Sequence, residues 1–116
     1  MTQSIQDFFA AWGEPNDDTA YSLLEGAISP TRFAYYDPKA PQAITSVADM
    51  AAMLAGFPPG ASALVIGEVD LTKAYARATV KFDFGGGQGM VGQYFFDLDE
   101  DKRILRAVGF PGPGGQ

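Results

Sequence analysis

The chain contains neither cysteine nor histidine among its 116 residues. Without cysteine it cannot form disulfides, thiolate nucleophiles, iron–sulfur clusters or cysteine zinc sites. Without histidine it lacks the most frequent general base and metal ligand, so any acid–base chemistry must use Asp, Glu, Tyr or Lys. These two absences exclude many classes of enzyme, and we expect no metal site.

Basic residues are also scarce, because 8 Lys and Arg stand against 14 Asp and Glu and give a net charge of −6. A surface of this sign repels nucleic acid and anionic membranes. No stretch approaches the ~20 apolar residues of a membrane span, and the first residues lack a basic region followed by an apolar run. We therefore expect a soluble, cytoplasmic protein with no nucleic-acid or membrane partner.

The composition is that of a folded domain, with 47% hydrophobic and 13% aromatic residues. A chain of this length builds one core. The sequence predicts a single domain over residues 1–116, with a core at about 4–110 and a flexible tail at 111–116.

Apolar residues at helical spacing predict three helices in the first half of the chain. Each is expected to begin after a capping residue and to end near a glycine: Ser4 to Gly13, Asn16 to Gly26, and Ser46 to Gly56. Between the second and third helices, residues 33–38 form an aromatic segment that is stopped by Pro38. Side chains alternate along a strand, so Phe33, Tyr35 and Asp37 share one face. If that face is internal, Asp37 lies at the rim of an aromatic pocket.

The second half of the chain has the alternation of β-strands, which we predict over residues 61–71, 74–84, 89–98 and 103–110. The connections are short enough for hairpins, so the strands should form an antiparallel meander. The predicted fold class is α+β, with three helices packed on one face of a curved, mainly antiparallel sheet.

This order of elements resembles the nuclear transport factor 2-like superfamily, which includes ketosteroid isomerases and SnoaL-like polyketide cyclases. The resemblance rests on residues 8–12 (FFAAW) in the first helix, 35–38 (YYDP) in the first strand, and 101–104 (DKRI) with Phe110 at the end. It implies a cystatin-like cone with an internal cavity, and often a homodimer formed through the sheet.

The resemblance also implies candidate catalytic residues. Asp37 occupies the position of the ketosteroid isomerase general base, which moves a proton between substrate carbons. Phe8 stands where those enzymes carry an oxyanion-stabilising tyrosine, and a phenyl ring cannot donate a hydrogen bond. Their second oxyanion acid matches Tyr94 or Gln93, with the register left open. Asp37 and Tyr94 are therefore the predicted catalytic pair.

Arg106 shares one strand face with three apolar residues, Ile104, Val108 and Phe110. We therefore expect it to point into the cavity, where it either pairs with Asp37 or binds a substrate carboxylate. An ion pair would keep Asp37 ionised and weaken it as a base. The opposite face, Leu105, Ala107 and Gly109, is also apolar, so the other orientation stays open.

The remaining candidates for the pocket wall are large apolar side chains, which core packing explains equally well. With Arg106, the predicted ligand-binding residues are Phe8, Trp12, Tyr35, Met53, Phe57, Phe82, Phe96 and Phe110.

Two functions follow from these predictions. The first is noncatalytic binding of a small apolar molecule in the cavity. The second is a cofactor-independent isomerase, cyclase or dehydratase-like enzyme in which Asp37 is the general base on an apolar cyclic or carbonyl substrate. The missing histidine, Phe8 and the expected Asp37–Arg106 pair favour binding. Neither function needs a cofactor.

Overall fold

The computed structural model describes residues 3–38, 42–56, 61–85 and 88–112, without the side chains of 85 and 88. Within these ranges, α1 is Gln3–Ala10 and continues as a 3₁₀ turn at Ala11–Gly13, α2 is Asp17–Ala27, and α3 is Val47–Ala55. The strands are β1 at Ala34–Tyr36, β2 at Ser62–Thr72, β3 at Tyr75–Gly85, β4 at Gln88–Leu98, and β5 at Ile104–Pro111.

The strands form one sheet in the order β1-β5-β4-β3-β2. Strands β2 to β5 pair as an antiparallel meander, and β1 joins β5 in parallel. The register shifts between Ile66 and Asp70 in β2, where Gly67 has a φ of 72°, and between Asp97 and Leu98 in β4. Such irregularities bend a sheet and increase its twist. The predicted fold class, α+β with helices on a curved sheet, is confirmed.

Two of the three predicted helix caps are confirmed. Asn16 accepts a 3.0 Å hydrogen bond from the backbone N–H of Thr19, and Ser46 accepts one of 3.1 Å from Asp49. These bonds satisfy N–H groups that the first turn leaves unpaired. The predicted Ser4 cap is wrong, because the chain is already helical at Gln3 and the Ser4 hydroxyl donates to the backbone carbonyl of Lys102. Ser4 thus connects α1 to the turn before β5.

The core lies between the helices and the inner face of the sheet, and aromatic rings dominate it. Phe8, Phe9 and Trp12 project from the first helical segment onto Tyr94 and Phe96 of β4. The Phe8–Phe9 and Phe9–Tyr94 ring centroids are 5.1 and 5.0 Å apart, in edge-to-face arrangements. This geometry is favourable for aromatic pairs and adds to the free energy gained by burial.

The chain's last described residues, Pro111 and Gly112, lie in the segment for which a flexible tail was predicted, and β5 extends into that segment. Pro111 belongs to β5, and the N–H of Gly112 donates a 2.8 Å hydrogen bond to the carbonyl of Val91. The rest of that predicted tail, 113–116, lies outside the described residues.

Along the described ranges, none of the helices is both long enough and apolar enough to cross a membrane.

Candidate functional site

The candidate site begins at β1, whose side chains alternate as predicted. Phe33 and Tyr35 are buried, Tyr36 is exposed, and Asp37 is half-buried just beyond the strand. Because β1 pairs with β5, Tyr35 lies opposite Ala107. The short strand therefore places a phenol and a carboxylate on the internal side of the sheet.

Two small residues of β5 let Tyr35 meet a second tyrosine. Tyr94 of β4 lies opposite Gly109, and Tyr35 of β1 lies opposite Ala107, so the two phenols approach each other across β5. Their rings are 6.2 Å apart and nearly parallel, at 26°. A Cβ atom at Gly109 would lie 2.7 Å from Tyr94 Cε2, closer than any side chain tolerates. Glycine at this position therefore makes the Tyr94 orientation possible.

The hydrogen bonds in this cluster have a definite direction. The Tyr35 hydroxyl donates to Asp37 Oδ2 over 2.6 Å, and the Tyr35 and Tyr94 hydroxyl oxygens are 2.9 Å apart. A phenol has a single hydrogen to donate. Since that of Tyr35 goes to Asp37, Tyr94 must be the donor to Tyr35. We call this arrangement the Tyr94–Tyr35–Asp37 chain.

Both phenols are held in the protonated state. Burial is the largest cause that raises the pKa of Tyr35 far above its usual range, and the neighbouring Tyr94 and Asp37 raise it further. Burial is also the largest cause that raises the pKa of Tyr94, and the nearby carboxylate of Asp37 raises it further. The phenols therefore serve as hydrogen-bonding groups and not as bases.

The chain borders a pocket of about 160 Å³. Its main walls are the side chains of Trp12, Asp37, Phe82, Phe84, Met90 and Tyr94. Pro38, Gly92, Gly109, Phe110 and Pro111 complete the lining. The Trp12 and Phe82 rings are 5.4 Å apart, and Phe82 stacks on Phe84 at 6.2 Å with an interplanar angle of 2°. The pocket is thus apolar and aromatic, with its polar groups at Asp37 and Tyr94.

The open register on β4 is resolved in favour of Tyr94. Tyr94 is buried on the inner face, whereas Gln93 lies on the outer face and donates a 2.9 Å hydrogen bond to Thr79 of β3. Of the two residues that the resemblance left open, Tyr94 is therefore the one whose side chain borders the pocket, and its catalytic role stays a prediction.

The predicted inward orientation of Arg106 is wrong. Its guanidinium lies on the outer face and forms an ion pair of 2.7 Å with Asp97. The cause is the irregularity between β4 and β5, where Asp97 pairs with Arg106 but the adjacent Leu98 pairs with Ile104. The extra residue, Leu105, breaks the alternation, so that Ile104 and Ala107 both face the core. The expected Asp37–Arg106 pair is thus replaced by an Arg106–Asp97 pair.

The other predicted pocket residues divide into two groups. Trp12, Phe82 and Phe110 border the pocket, although the Phe110 ring packs on Phe95 of the outer face. Phe8, Tyr35 and Phe96 are buried in the aromatic core, and Met53 of α3 packs against that core. Phe57 lies outside the described residues. Whether any of them contacts a ligand stays a prediction.

Six lining residues were not among the predicted site residues: Pro38, Phe84, Met90, Gly92, Gly109 and Pro111. The signal for the glycines was available, because glycine within a strand often marks a close approach of other groups.

Within the described part of the chain, no group of three or more acidic side chains is placed to hold a metal ion.

Comparisons with known proteins give a consistent fold. No protein-family model and no curated protein matches the sequence significantly. Among solved structures, a proposed isomerase of the SnoaL-like family from Agrobacterium tumefaciens C58 is similar at 25% identity and a TM-score of 0.80, over 96% of this chain and 98% of that one.

Two further structures show the same fold at lower identity. A proposed ketosteroid isomerase from Kribbella flavida matches at 16% identity and a TM-score of 0.73, over 97% of this chain and 78% of that one. A proposed SnoaL-like polyketide cyclase from Jannaschia matches at 17% identity and a TM-score of 0.68, over 95% and 85%. The chain therefore has the fold of the nuclear transport factor 2-like superfamily. Its structural neighbours are SnoaL-like and ketosteroid isomerase-like proteins, as the sequence resemblance implied.

Proposed function

We propose that the protein binds a small, largely apolar molecule in the pocket beside Asp37. The observation that carries this proposal is the presence of Asp37 and Tyr94 in the wall of one aromatic pocket. Apolar walls with a few convergent polar groups are typical of small-molecule sites. A volume of about 160 Å³ is close to that of cavities that hold a single benzene-sized ring. The ligand is accordingly a single-ring or short-chain compound and not a steroid.

The test is an NMR titration with cyclohexanol, a single-ring probe. We expect saturable shifts of the Trp12 indole and Met90 methyl resonances. Gly92→Ala should weaken binding, because the new Cβ would lie 3.1 Å from the backbone carbonyl oxygen of Phe110 and 3.4 Å from the Phe82 ring, at the pocket wall. Gly26→Ala, where a Cβ meets nothing within 4 Å, is the matched control and should bind like the parent protein. Shifts confined to other parts of the chain, or no shifts, would contradict the proposal.

A second candidate is a cofactor-independent isomerase, which the position of Arg106 favours. Its ion pair with Asp97 is on the other face of the sheet, so Arg106 does not hold Asp37 as an ion-pair partner. In this function the Asp37 carboxylate takes a proton from the carbon next to a carbonyl. The electrons of that C–H bond form an enolate, and Asp37 returns the proton to another carbon.

The enolate oxygen needs a hydrogen-bond donor, and the Tyr94–Tyr35–Asp37 chain supplies one only by reversing. The protonated Asp37 carboxyl then donates its hydrogen to the Tyr35 hydroxyl oxygen, and Tyr35 donates its own to the Tyr94 hydroxyl oxygen. Tyr94 in turn donates its hydrogen to the enolate oxygen. Phe8 is buried in the core and offers no such hydrogen. The reversal makes Tyr94 the only phenol of the chain that can meet the substrate oxygen.

Deuterium exchange tests the isomerase without knowledge of the natural substrate. Cyclohexanone is incubated with the protein in D₂O, and loss of the proton signals next to the carbonyl is followed by NMR. If the protein is an isomerase, these protons should exchange for deuterium faster than in buffer alone. Asp37→Asn should abolish the additional exchange, and Tyr94→Phe should slow it. If exchange stays at the buffer rate while cyclohexanone still binds, the isomerase candidate is rejected and the binding function is kept.

We also propose a homodimer formed through the outer face of the sheet. Large apolar side chains are exposed there, including Leu64, Phe95 and Phe110 with 62%, 44% and 53% of their surface accessible. Four of the charged residues on this face form ion pairs with each other, Arg77 with Asp70 and Arg106 with Asp97. A second copy could therefore cover these four side chains without burying an unpaired charge among them. We expect this dimer to act in the cytoplasm, without nucleic-acid or membrane partners.

Sedimentation measures the proposed dimer directly. The parent protein should sediment as a dimer at micromolar concentration, and Phe95→Asp should sediment as a monomer because it places a charge in the covered face. Tyr21→Asp, which changes an exposed aromatic residue on α2, is the matched control and should remain dimeric. A monomeric parent protein would contradict the proposal.

A further inference from the structure

The Tyr94–Tyr35–Asp37 chain uses its own hydrogens internally. Tyr35 gives its hydrogen to Asp37, and Tyr94 gives its hydrogen to Tyr35. These side chains therefore present oxygen lone pairs to the pocket, and no hydrogen. A carbonyl, ether or epoxide oxygen in the pocket would meet no hydrogen from them. A ligand that forms a hydrogen bond with these oxygens must bring the donor itself.

The apolar walls favour positive charge on that donor. The rings of Trp12, Phe82, Phe84 and Tyr94 border the pocket, and the faces of aromatic rings attract cations, tryptophan most strongly. Among the described lining residues, Asp37 is the only charged one. The net charge of −6 also raises the concentration of cations near the protein. Rings, carboxylate and overall charge all act in the same direction.

From the hydrogen-bond direction, the aromatic walls and the carboxylate, we infer that the pocket takes a small organic cation. The ligand is a primary or substituted ammonium carried on a single ring or a short hydrocarbon, with its nitrogen toward Asp37 and its hydrocarbon between Trp12 and Phe82. This inference rests on the proposed binding function and names the chemical class of its ligand. The size limit follows from the pocket volume of about 160 Å³.

Three probes with the same ring separate this inference from the binding function. Cyclohexylammonium, cyclohexanol and cyclohexanone are titrated at neutral pH, and their dissociation constants are measured by NMR. We expect cyclohexylammonium to bind at least about tenfold tighter than cyclohexanone, with cyclohexanol between them, because only the first brings both hydrogens and charge. Asp37→Asn, which keeps the shape of the side chain, should remove most of that preference.

The outcomes are distinguishable. If cyclohexanone binds as tightly as cyclohexylammonium, or more tightly, the cation inference is overturned and the binding function stands. If the preference for cyclohexylammonium persists in Asp37→Asn, the assignment of Asp37 is overturned. If none of the three probes binds, the binding function itself fails.

The direction of the chain has its own test. Tyr35→Phe removes the oxygen that accepts the Tyr94 hydrogen. The Tyr94 hydroxyl can then donate to a ligand in the pocket, so cyclohexanone should bind about threefold to tenfold tighter. Tyr94→Phe is the matched control and should show no gain. If cyclohexanone affinity does not rise in a folded Tyr35→Phe variant, the assigned direction is wrong. If that variant does not fold, the Asp37→Asn comparison alone decides the inference.

Discussion

The Tyr35 hydroxyl donates its hydrogen to Asp37 Oδ2 over 2.6 Å, and this bond sets the hydrogen-bonding character of the whole site. The two residues are on the same face of a short strand, so the bond follows from local geometry. Tyr94 comes from the distant strand β4 and joins them over 2.9 Å. One hydrogen-bonded chain thus connects β1 and β4 across β5.

A double-mutant cycle should show that Tyr35 and Tyr94 stabilise the fold as a unit. Tyr35→Phe should lower the free energy of unfolding by about 1–3 kcal/mol, because it leaves the buried Tyr94 hydroxyl without its acceptor. Tyr94→Phe should lower it by about 0.5–1.5 kcal/mol, since only one hydrogen bond is lost. In urea denaturation, the double variant should lose less than the sum of the two single losses. Additive losses would contradict a shared hydrogen bond.

Alkaline pH should destabilise the protein through the same two phenols. Folding raises the pKa of both Tyr35 and Tyr94 above the ordinary tyrosine value of about 10. Above that pH the unfolded chain loses protons that the folded chain retains, so stability must fall. The stability present below pH ~10 should decrease by up to about 1.4 kcal/mol per pH unit for each phenol.

Urea denaturation at a series of pH values measures this slope. In Tyr94→Phe the free energy of unfolding should decrease less steeply with pH above pH ~10, because only one of the two phenols remains to contribute. Tyrosinate absorbance from Tyr35 and Tyr94 should increase together with unfolding and not before it. A free energy of unfolding that stays constant above pH ~10 would contradict the burial of these hydroxyls.

Glycine substitutions should distinguish the site from an open surface. Gly109→Ala places a Cβ 2.7 Å from Tyr94 Cε2, so we expect a loss of about 1–3 kcal/mol and weaker ligand binding. Gly26→Ala in helix α2 meets nothing within 4 Å and should stabilise the protein by about 0.4–1 kcal/mol. Thermal unfolding of the two variants provides the comparison, and similar effects would argue against close packing at Gly109.

Arg106→Ala should leave the pocket unchanged. The ion pair with Asp97 is on the outer face, and 54% of the Arg106 side chain is exposed, so its loss should lower stability by at most about 1 kcal/mol. The dissociation constant of cyclohexylammonium should stay within about twofold of the parent value. Asp97→Ala should behave in the same way. A tenfold change in ligand affinity in Arg106→Ala would instead place the guanidinium at the site.

Local patterns predicted much of this structure. Helical spacing and the Asn16 and Ser46 caps located α2 and α3, and alternation located four long strands and the shared face of Tyr35 and Asp37. These features depend on neighbours a few residues apart, which is the range that sequence patterns describe. Short connections between the four strands predicted the antiparallel meander, and the resemblance of the whole pattern implied the cone-like fold.

Features that depend on pairing between strands were harder to predict. Arg106 was assigned to the wrong face because strict alternation cannot anticipate the extra residue at Leu105. The choice between Tyr94 and Gln93 needed the pairing of Tyr94 with Gly109. The pocket wall contributed by Gly92 and Gly109 likewise depends on residues distant in sequence. Long-range register therefore decides the site.

A crystal structure of the protein with cyclohexylammonium tests the central claim most directly. We predict one ligand in the pocket, with its ring between Trp12 and Phe82 and its nitrogen within hydrogen-bonding distance of Asp37. A ligand bound elsewhere at a concentration that saturates the NMR titration, or one whose nitrogen points away from Asp37, would contradict the claim.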